Sequence, residues 1–133
     1  MIITIPGKPL GKQRARTLKS GRSYTPDETV NYENLVKLCY TEQHGENFED
    51  KQLKMRVIAY YPVTKSTSKK KEVLMLSGDI RPTKKPDIDN IVKLIADGLN
   101  GIAYHDDSQI VELVAYKFYS LIPRVEIMIV EIK

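Results

Sequence analysis

The clearest pattern lies in the second half of the chain, where Ile88, Ile91, Val92, Ile95 and Leu99 fall at i, i+3, i+4, i+7 and i+11. That spacing sets all five on one side of a helix and predicts an amphipathic helix opening at Asp87 and ended by Gly98, Asn100 and Gly101. Tyr32, Leu35, Val36, Cys39 and Tyr40 form a second helical stripe. They predict a helix from about Pro26 to His44, with Thr25 or Asp27 as the cap and Gly45 as the stop. Leu53, Met55, Val57, Ala59 and Tyr61 instead alternate with Lys54, Arg56, Ile58 and Tyr60 before Pro62, the period of a strand with one face on the core. Ile2 to Ile5 is a β-branched run closed by Pro6-Gly7, so a short first strand is expected, followed by a long basic loop ending near Tyr24.

Within Thr64 to Leu76, a serine or threonine cap precedes three lysines and an apolar cluster, predicting a short helix, with Gly78 to Pro86 as a loop. Gln109 to Tyr119 and Arg124 to Ile132 are β-rich runs joined by a short link containing Pro123, and they read as an antiparallel pair. The order β, α, β, α, α, β, β predicts an α+β fold in one domain spanning residues 1–133, with helices packed on one face of a small, mostly antiparallel sheet. So small a sheet leaves edges open, and a homodimer covering one of them is expected.

Composition narrows the chemistry. There is no apolar run of about 18 residues, and the opening MIITIPGKP carries its charge after its apolar residues, unlike a signal peptide. A cytoplasmic protein without membrane contact is expected. One cysteine, Cys39, excludes an internal disulfide, and with only His44 and His105 beside it a structural zinc site is disfavoured. A metal would have to be held by oxygen. The net charge of +4 is unevenly spread. Residues 1 to 26 contain Lys8, Lys12, Arg14, Arg16, Lys19 and Arg22 and no acid, leaving 15 basic against 17 acidic residues for the rest. Further basic clusters run from Lys65 to Lys71, including Lys69 and Lys70, and from Arg81 to Lys85, including Lys84. Positive segments around a carboxylate-rich centre suit a protein that grips a polyanion and uses a divalent cation on it, though a solvated basic loop without a partner has the same composition.

The acidic centre is KPDIDNIVKLIADGLNGIAYHDDSQIVEL, residues 85 to 113. Asp87 and Asp89 stand at the helix start, Lys93 one turn on, and Asp106 with Asp107 in a later polar turn. Mg²⁺ is a hard cation that accepts a few carboxylates and keeps several waters, so Asp87 and Asp89, with Asp107 or Asp106, are candidate ligands. Lys93 shares the face of Asp89 and could neutralise charge building on a phosphate. Local chemistry accounts for the same residues: aspartates favour helix N-termini and turns, and Asp89 with Lys93 is an ordinary i, i+4 pair. On spacing alone that local account stands slightly ahead. Asp97 reads as structural, and His105 carries little weight.

The combination of D-x-D-N, a lysine three residues after the asparagine, a D-x-L-N helix end and a D-D-S-Q turn resembles the signature of the RusA family of Holliday junction resolvases, small endodeoxyribonucleases of prophages and bacteria. The resemblance covers most of the chain, including the basic GKPLGKQRARTLKSGRSYTP, although Gln13, Arg14, Ala15 and Arg16 depart from the family pattern after the Gly-Lys. It implies Asp87, Asp89 and Asp107 as magnesium-binding catalytic carboxylates and Lys93 as the catalytic lysine. Mn²⁺ is an alternative metal, no nucleotide cofactor is implied, and Asp106 is a helper or a turn residue. A homodimer nicking opposed strands of a four-way junction follows from the same resemblance, with the basic clusters as DNA contacts. The alternatives are a structure-selective DNA-binding module without catalysis and a nuclease of broader taste for flaps and branched DNA.

Overall fold

The computed structural model describes all 133 residues, Met1 to Lys133. In chain order the elements are β1 (Ile3–Pro6), β2 (Arg16–Thr17), β3 (Ser23–Tyr24), α1 (Asp27–Glu42), β4 (Leu53–Pro62), α2 (Lys69–Leu76), α3 (Ile88–Gly98), a 3-10 turn (Asp107–Gln109), β5 (Ile110–Ser120) and β6 (Arg124–Glu131). The class is α+β: three helices, a four-stranded sheet and a small hairpin.

The sheet order is β1-β6-β4-β5. β6 runs antiparallel to β1 and to β4, and β5 runs parallel to β4, so the sheet is mixed. This corrects the expected pairing of the last two strands, because β4 lies between them. A three-residue link misleads here because it can do either of two things. Crossing one intervening strand spans about 10 Å, twice the strand spacing, and the steps from Ser120 to Arg124 reach that far at up to about 3.5 Å each. Ser120 lies opposite Pro62 at the end of β4 and Arg124 opposite Tyr60, so Leu121 to Pro123 step around that end. The parallel pairing is possible because α2 and α3 fill the connection from β4 to β5, which a tight turn could not make.

Alternation along β4 explains the core. Leu53, Met55, Val57, Ala59 and Tyr61 are each at most 2 % exposed, and they join Ile3, Ile5, Val125 and Ile127 on one face of the sheet. Against that face lie Tyr32, Val36, Cys39 and Tyr40 of α1 and Ile91, Leu94 and Ile95 of α3. α1 and α3 meet closely at Gly98, where an added Cβ would come 3.3 Å from that of Val36. Lys37 crosses the same contact and donates to the Gly98 carbonyl at 2.6 Å, satisfying an acceptor at the end of α3. α2 packs instead beside edge strand β5, and its one buried residue, Met75, lies outside the main core. Ser68 caps it from Oγ, as the serine-rich lead predicts.

Two further local expectations change. Pro26 rather than Thr25 or Asp27 occupies the cap position of α1. The basic loop contains a hairpin, β2–β3, turned at Leu18–Arg22 with Gly21 at φ 87°, the turn that Ser20-Gly21 signals. At the other end of α1, Gln43 covers the open edge of β1. Its carboxamide accepts from the Thr4 N–H at 2.8 Å and donates to the Thr4 carbonyl at 2.7 Å, as a paired strand would.

Candidate active site

Asp87 is the N-cap residue of α3, as expected, yet its side chain makes no capping hydrogen bond. The local account of this aspartate predicts such a bond. Asp89 follows in the first turn and Lys93 one turn later, and none of the three ion pairs of the molecule includes either. Their proximity on the helix is therefore not spent on each other.

Asp107 is brought to the same side by the chain reversal between α3 and β5. Asn100 Oδ1 accepts from the Asp107 N–H at 3.0 Å, tying the turn to the end of α3. Gln109 anchors the turn from the other side. Its amide nitrogen donates to the carbonyls of Glu49 and Lys51, at 2.7 and 3.0 Å, and its oxygen accepts from the N–H groups of His105 and Asp106. Asn100 and Gln109, both within the 85–113 motif, hold this turn although neither is an acid or a cation. The signal was present: a carboxamide flanking a run of aspartates is a turn-forming group.

The adjacent acids of this turn are put to different uses. Asp106 closes a capping box with Gln109 and accepts from the Ser108 N–H at 3.1 Å. Hydrogen bonds from Ser108, side chain and backbone, hold its pKa below the usual carboxylate value. Asp107 is shifted the other way. Burial raises its pKa first, then the like charges of Asp106 and Asp97, opposed in part by Lys93.

Asp89, Lys93 and Asp107 line one concavity of about 490 Å³, floored by apolar side chains of α3 and β5, including Val92, Ala96 and Leu113. Asp87 opens instead onto a neighbouring concavity of about 450 Å³, with Lys85, Asn90 and the Leu10–Gln13 segment. That segment approaches α3 closely: a Cβ on Gly11 would lie 2.9 Å from that of Pro86, and the Lys12 N–H donates to the Asn90 carbonyl at 2.8 Å. No three His, Cys, Asp or Glu side chains converge closely enough to hold a cation by themselves. A pair of aspartates remains in the larger concavity, with oxygen donors only. This suits a hard cation such as Mg²⁺, commonly bound through one or two carboxylates together with substrate phosphate and water.

The cations separate in the same way. Arg14, Arg16, Lys19 and Arg22 are exposed on the β2–β3 arm, where every residue from Arg14 to Thr25 is exposed. Lys8 is exposed before it. Lys12, expected among the DNA contacts, is turned inward and bridges Glu33 of α1, at 2.6 Å, to Asp97 of α3, at 3.3 Å. Burial alone would lower its pKa, but the two carboxylates outweigh burial and raise it. This also accounts for Asp97, read from the sequence as structural. Lys69 and Lys70 are exposed in the first turn of α2, where positive charge opposes the helix dipole. Lys84 and Lys85 are exposed in the segment leading to α3.

A sheet backed by two helices, with free carboxylates and a lysine along a groove and a basic arm nearby, defines a class of acidic-groove α+β proteins with a cationic extension. The family model described as "Endodeoxyribonuclease RusA" matches residues 6–130, and the chain belongs to that family. It is also 39% identical, over 97% of its length and 94% of the relative's, to "Uncharacterized protein YqaN" of Bacillus subtilis (strain 168). No helix is long and apolar enough to cross a membrane.

Proposed function

We propose that this chain is a magnesium-dependent endodeoxyribonuclease that resolves four-way DNA junctions by paired symmetrical nicks, acting as a homodimer. The observation that carries the reading is the shared groove of Asp89, Lys93 and Asp107, none of them ion-paired, in a chain of the RusA family. Asp89 and Asp107 would hold the cation, with Asp87 approaching from the adjoining concavity. The bound cation, Mg²⁺ or Mn²⁺, supplies charge neutralisation at the scissile phosphate and acidifies an attacking water.

The protein's own contribution follows from the side chains. Lys93, one turn from Asp89, offers an ammonium to the phosphate oxygens as negative charge accumulates on them. Asn100 and Gln109 keep the turn bearing Asp107 in register with α3. Arg14, Arg16, Lys19 and Arg22 give the arm four cations for backbone phosphates, an attraction that steers DNA without reading sequence. Two such sites related by a two-fold axis match the two-fold symmetry of a four-way junction.

The test is incubation with a labelled four-way junction, a flap and a plain duplex, with and without Mg²⁺, with the nicks mapped. Symmetrical junction nicks that need the metal are expected, and Asp89→Asn should lose them while still binding the junction. Undiminished cutting by Asp89→Asn refutes the assignment. Equal rates on all three substrates would leave a branched-DNA or flap nuclease, and binding without nicking at any enzyme concentration would leave a DNA-binding module.

A further inference from the structure

The face of the sheet turned away from α1 and α3 has a composition the groove chemistry does not use. Pairing aligns Arg124, Tyr60 and Phe118 in one row across β6, β4 and β5, and the next position of β5 on this face is Tyr116. The rings of Tyr60 and Phe118 stack at 6.1 Å between centroids, and those of Tyr116 and Phe118 at 6.0 Å. Guanidinium groups lie over them: Arg124 at 3.9 Å from the Tyr60 centroid, Arg81 at 4.1 Å from Phe118, and Arg56 at 5.4 Å from Tyr116. Arg124 is paired with Glu126 at 3.0 Å, whereas Arg56 and Arg81 are exposed and have no carboxylate partner.

We propose that this face is a second nucleic-acid contact, a platform for the unpaired bases of a single strand. A guanidinium held over an aromatic ring can both stack on a base and donate to a phosphate. Three adjoining rings give a run of such positions, with the tolerance of base identity that stacking confers. Charge decides between this occupant and a second copy of the chain. A two-fold interface sets the same patch against itself, crowding the unpaired Arg56 and Arg81 with their symmetry mates, whereas a polyanion neutralises them. The rings are half-buried beneath these guanidinium groups, and stacking on the layered rings and guanidinium planes requires bases out of the duplex, which selects a single strand. This contact lies across the sheet from the groove and is independent of the chemistry there.

The experiment is fluorescence anisotropy with an oligothymidylate of about 16 nucleotides, in chelator, over a range of salt. Phe118→Leu and Tyr60→Leu leave charge unchanged and should each weaken binding by about fivefold or more with the same salt dependence, the loss expected of a stacked base. Arg81→Met, on the surface and harmless to the core, should weaken binding and also flatten the salt dependence by about one counterion. Wild-type affinity in the ring variants, or in Arg81→Met where a ring variant fails to fold, overturns the proposal. So does equal competition by a duplex of the same length, or dissociation of a dimer without loss of strand binding. Junction nicking by the same variants keeps the two readings apart: variants with wild-type strand binding and intact nicking remove only the platform, and variants that lose strand binding, of a protein that never nicks even as wild type, remove only the nuclease reading.

Discussion

Asp106 and Asp107 are neighbours in one turn, and the structure treats them oppositely. Asp106 gives its carboxylate to the backbone of its own turn, through the Ser108 N–H, and closes a reciprocal cap with Gln109. Asp107 has its N–H held by Asn100 and its carboxylate directed to the groove beside Asp89 and Lys93. In the adjoining concavity Asp87, a helix N-cap by position, leaves its side chain without a capping bond. The lesson is that a cap position and a capping bond are different things, and that the acids without such a bond are the ones left to face a ligand.

The widest separation between the two neighbours is expected in cleavage. Asp107→Asn should cut junction nicking by about a thousandfold, the scale of several kcal/mol of lost charge stabilisation, with DNA binding retained. Asp106→Asn should retain most of the nicking rate; equal losses in single-turnover assays would erase the distinction. Next in size is the bridge that keeps Asp97 out of the groove chemistry. Lys12→Met leaves Glu33 and Asp97 facing each other without their shared cation, and urea unfolding should register a loss of about 1–3 kcal/mol. Because the folded-state pKa of Lys12 is raised, its contribution is complete below the ordinary lysine value of 10.5 and disappears as pH rises through the folded value. The wild-type advantage over Lys12→Met should therefore shrink only in strong alkali.

A smaller effect belongs to the cap itself: Asp106→Ala removes the bond to the Ser108 N–H and should lower the melting temperature slightly. The smallest is a gain. Burial and the like charges of Asp106 and Asp97 raise the Asp107 pKa, so the native state binds its proton more tightly than the unfolded chain. Stability from this group thus falls as pH rises from the ordinary value through the raised one. Above that window the ionised carboxylate is a burden, and Asp107→Asn should melt slightly higher than wild type at neutral pH, by less than about 1 kcal/mol. A melting temperature lowered by this substitution would show that the carboxylate is held by contacts and not merely crowded.

Much of the fold was legible along the chain because each helix and long strand carries its own periodicity. Ile88 to Leu99 and Leu53 to Tyr61 show their apolar faces without reference to any neighbour, and the core includes the residues those periods select except Ile88, which is exposed at the groove, and Val92, which is only partly buried. The basic segment before Pro26 was less legible. A two-residue strand has no period to read, and only Ser20-Gly21 marked the turn of the β2–β3 arm. The aspartates at positions 87, 89 and 107 could be singled out by residue type, since a hard cation and a phosphate demand oxygen donors beside a positive charge. Their distribution between two concavities could not, because it depends on how the Leu10–Gln13 segment docks on α3.

By itself, then, the sequence determined the helices and the longer strands, the α+β class, most of the apolar faces and the set of acids and cations among which a site must be found, all consequences of local backbone and side-chain chemistry. Only the tertiary structure decided that β4 separates β5 from β6, that Lys12 turns inward to Glu33 and Asp97, that Asp106 is bonded while Asp107 is free, and that aromatic rings and arginines share the far face of the sheet. Each of these joins residues distant in the chain or chooses between adjacent ones with the same chemistry. Such a choice rests on burial and on which backbone groups lie within hydrogen-bonding reach, neither of which exists until the sheet has formed.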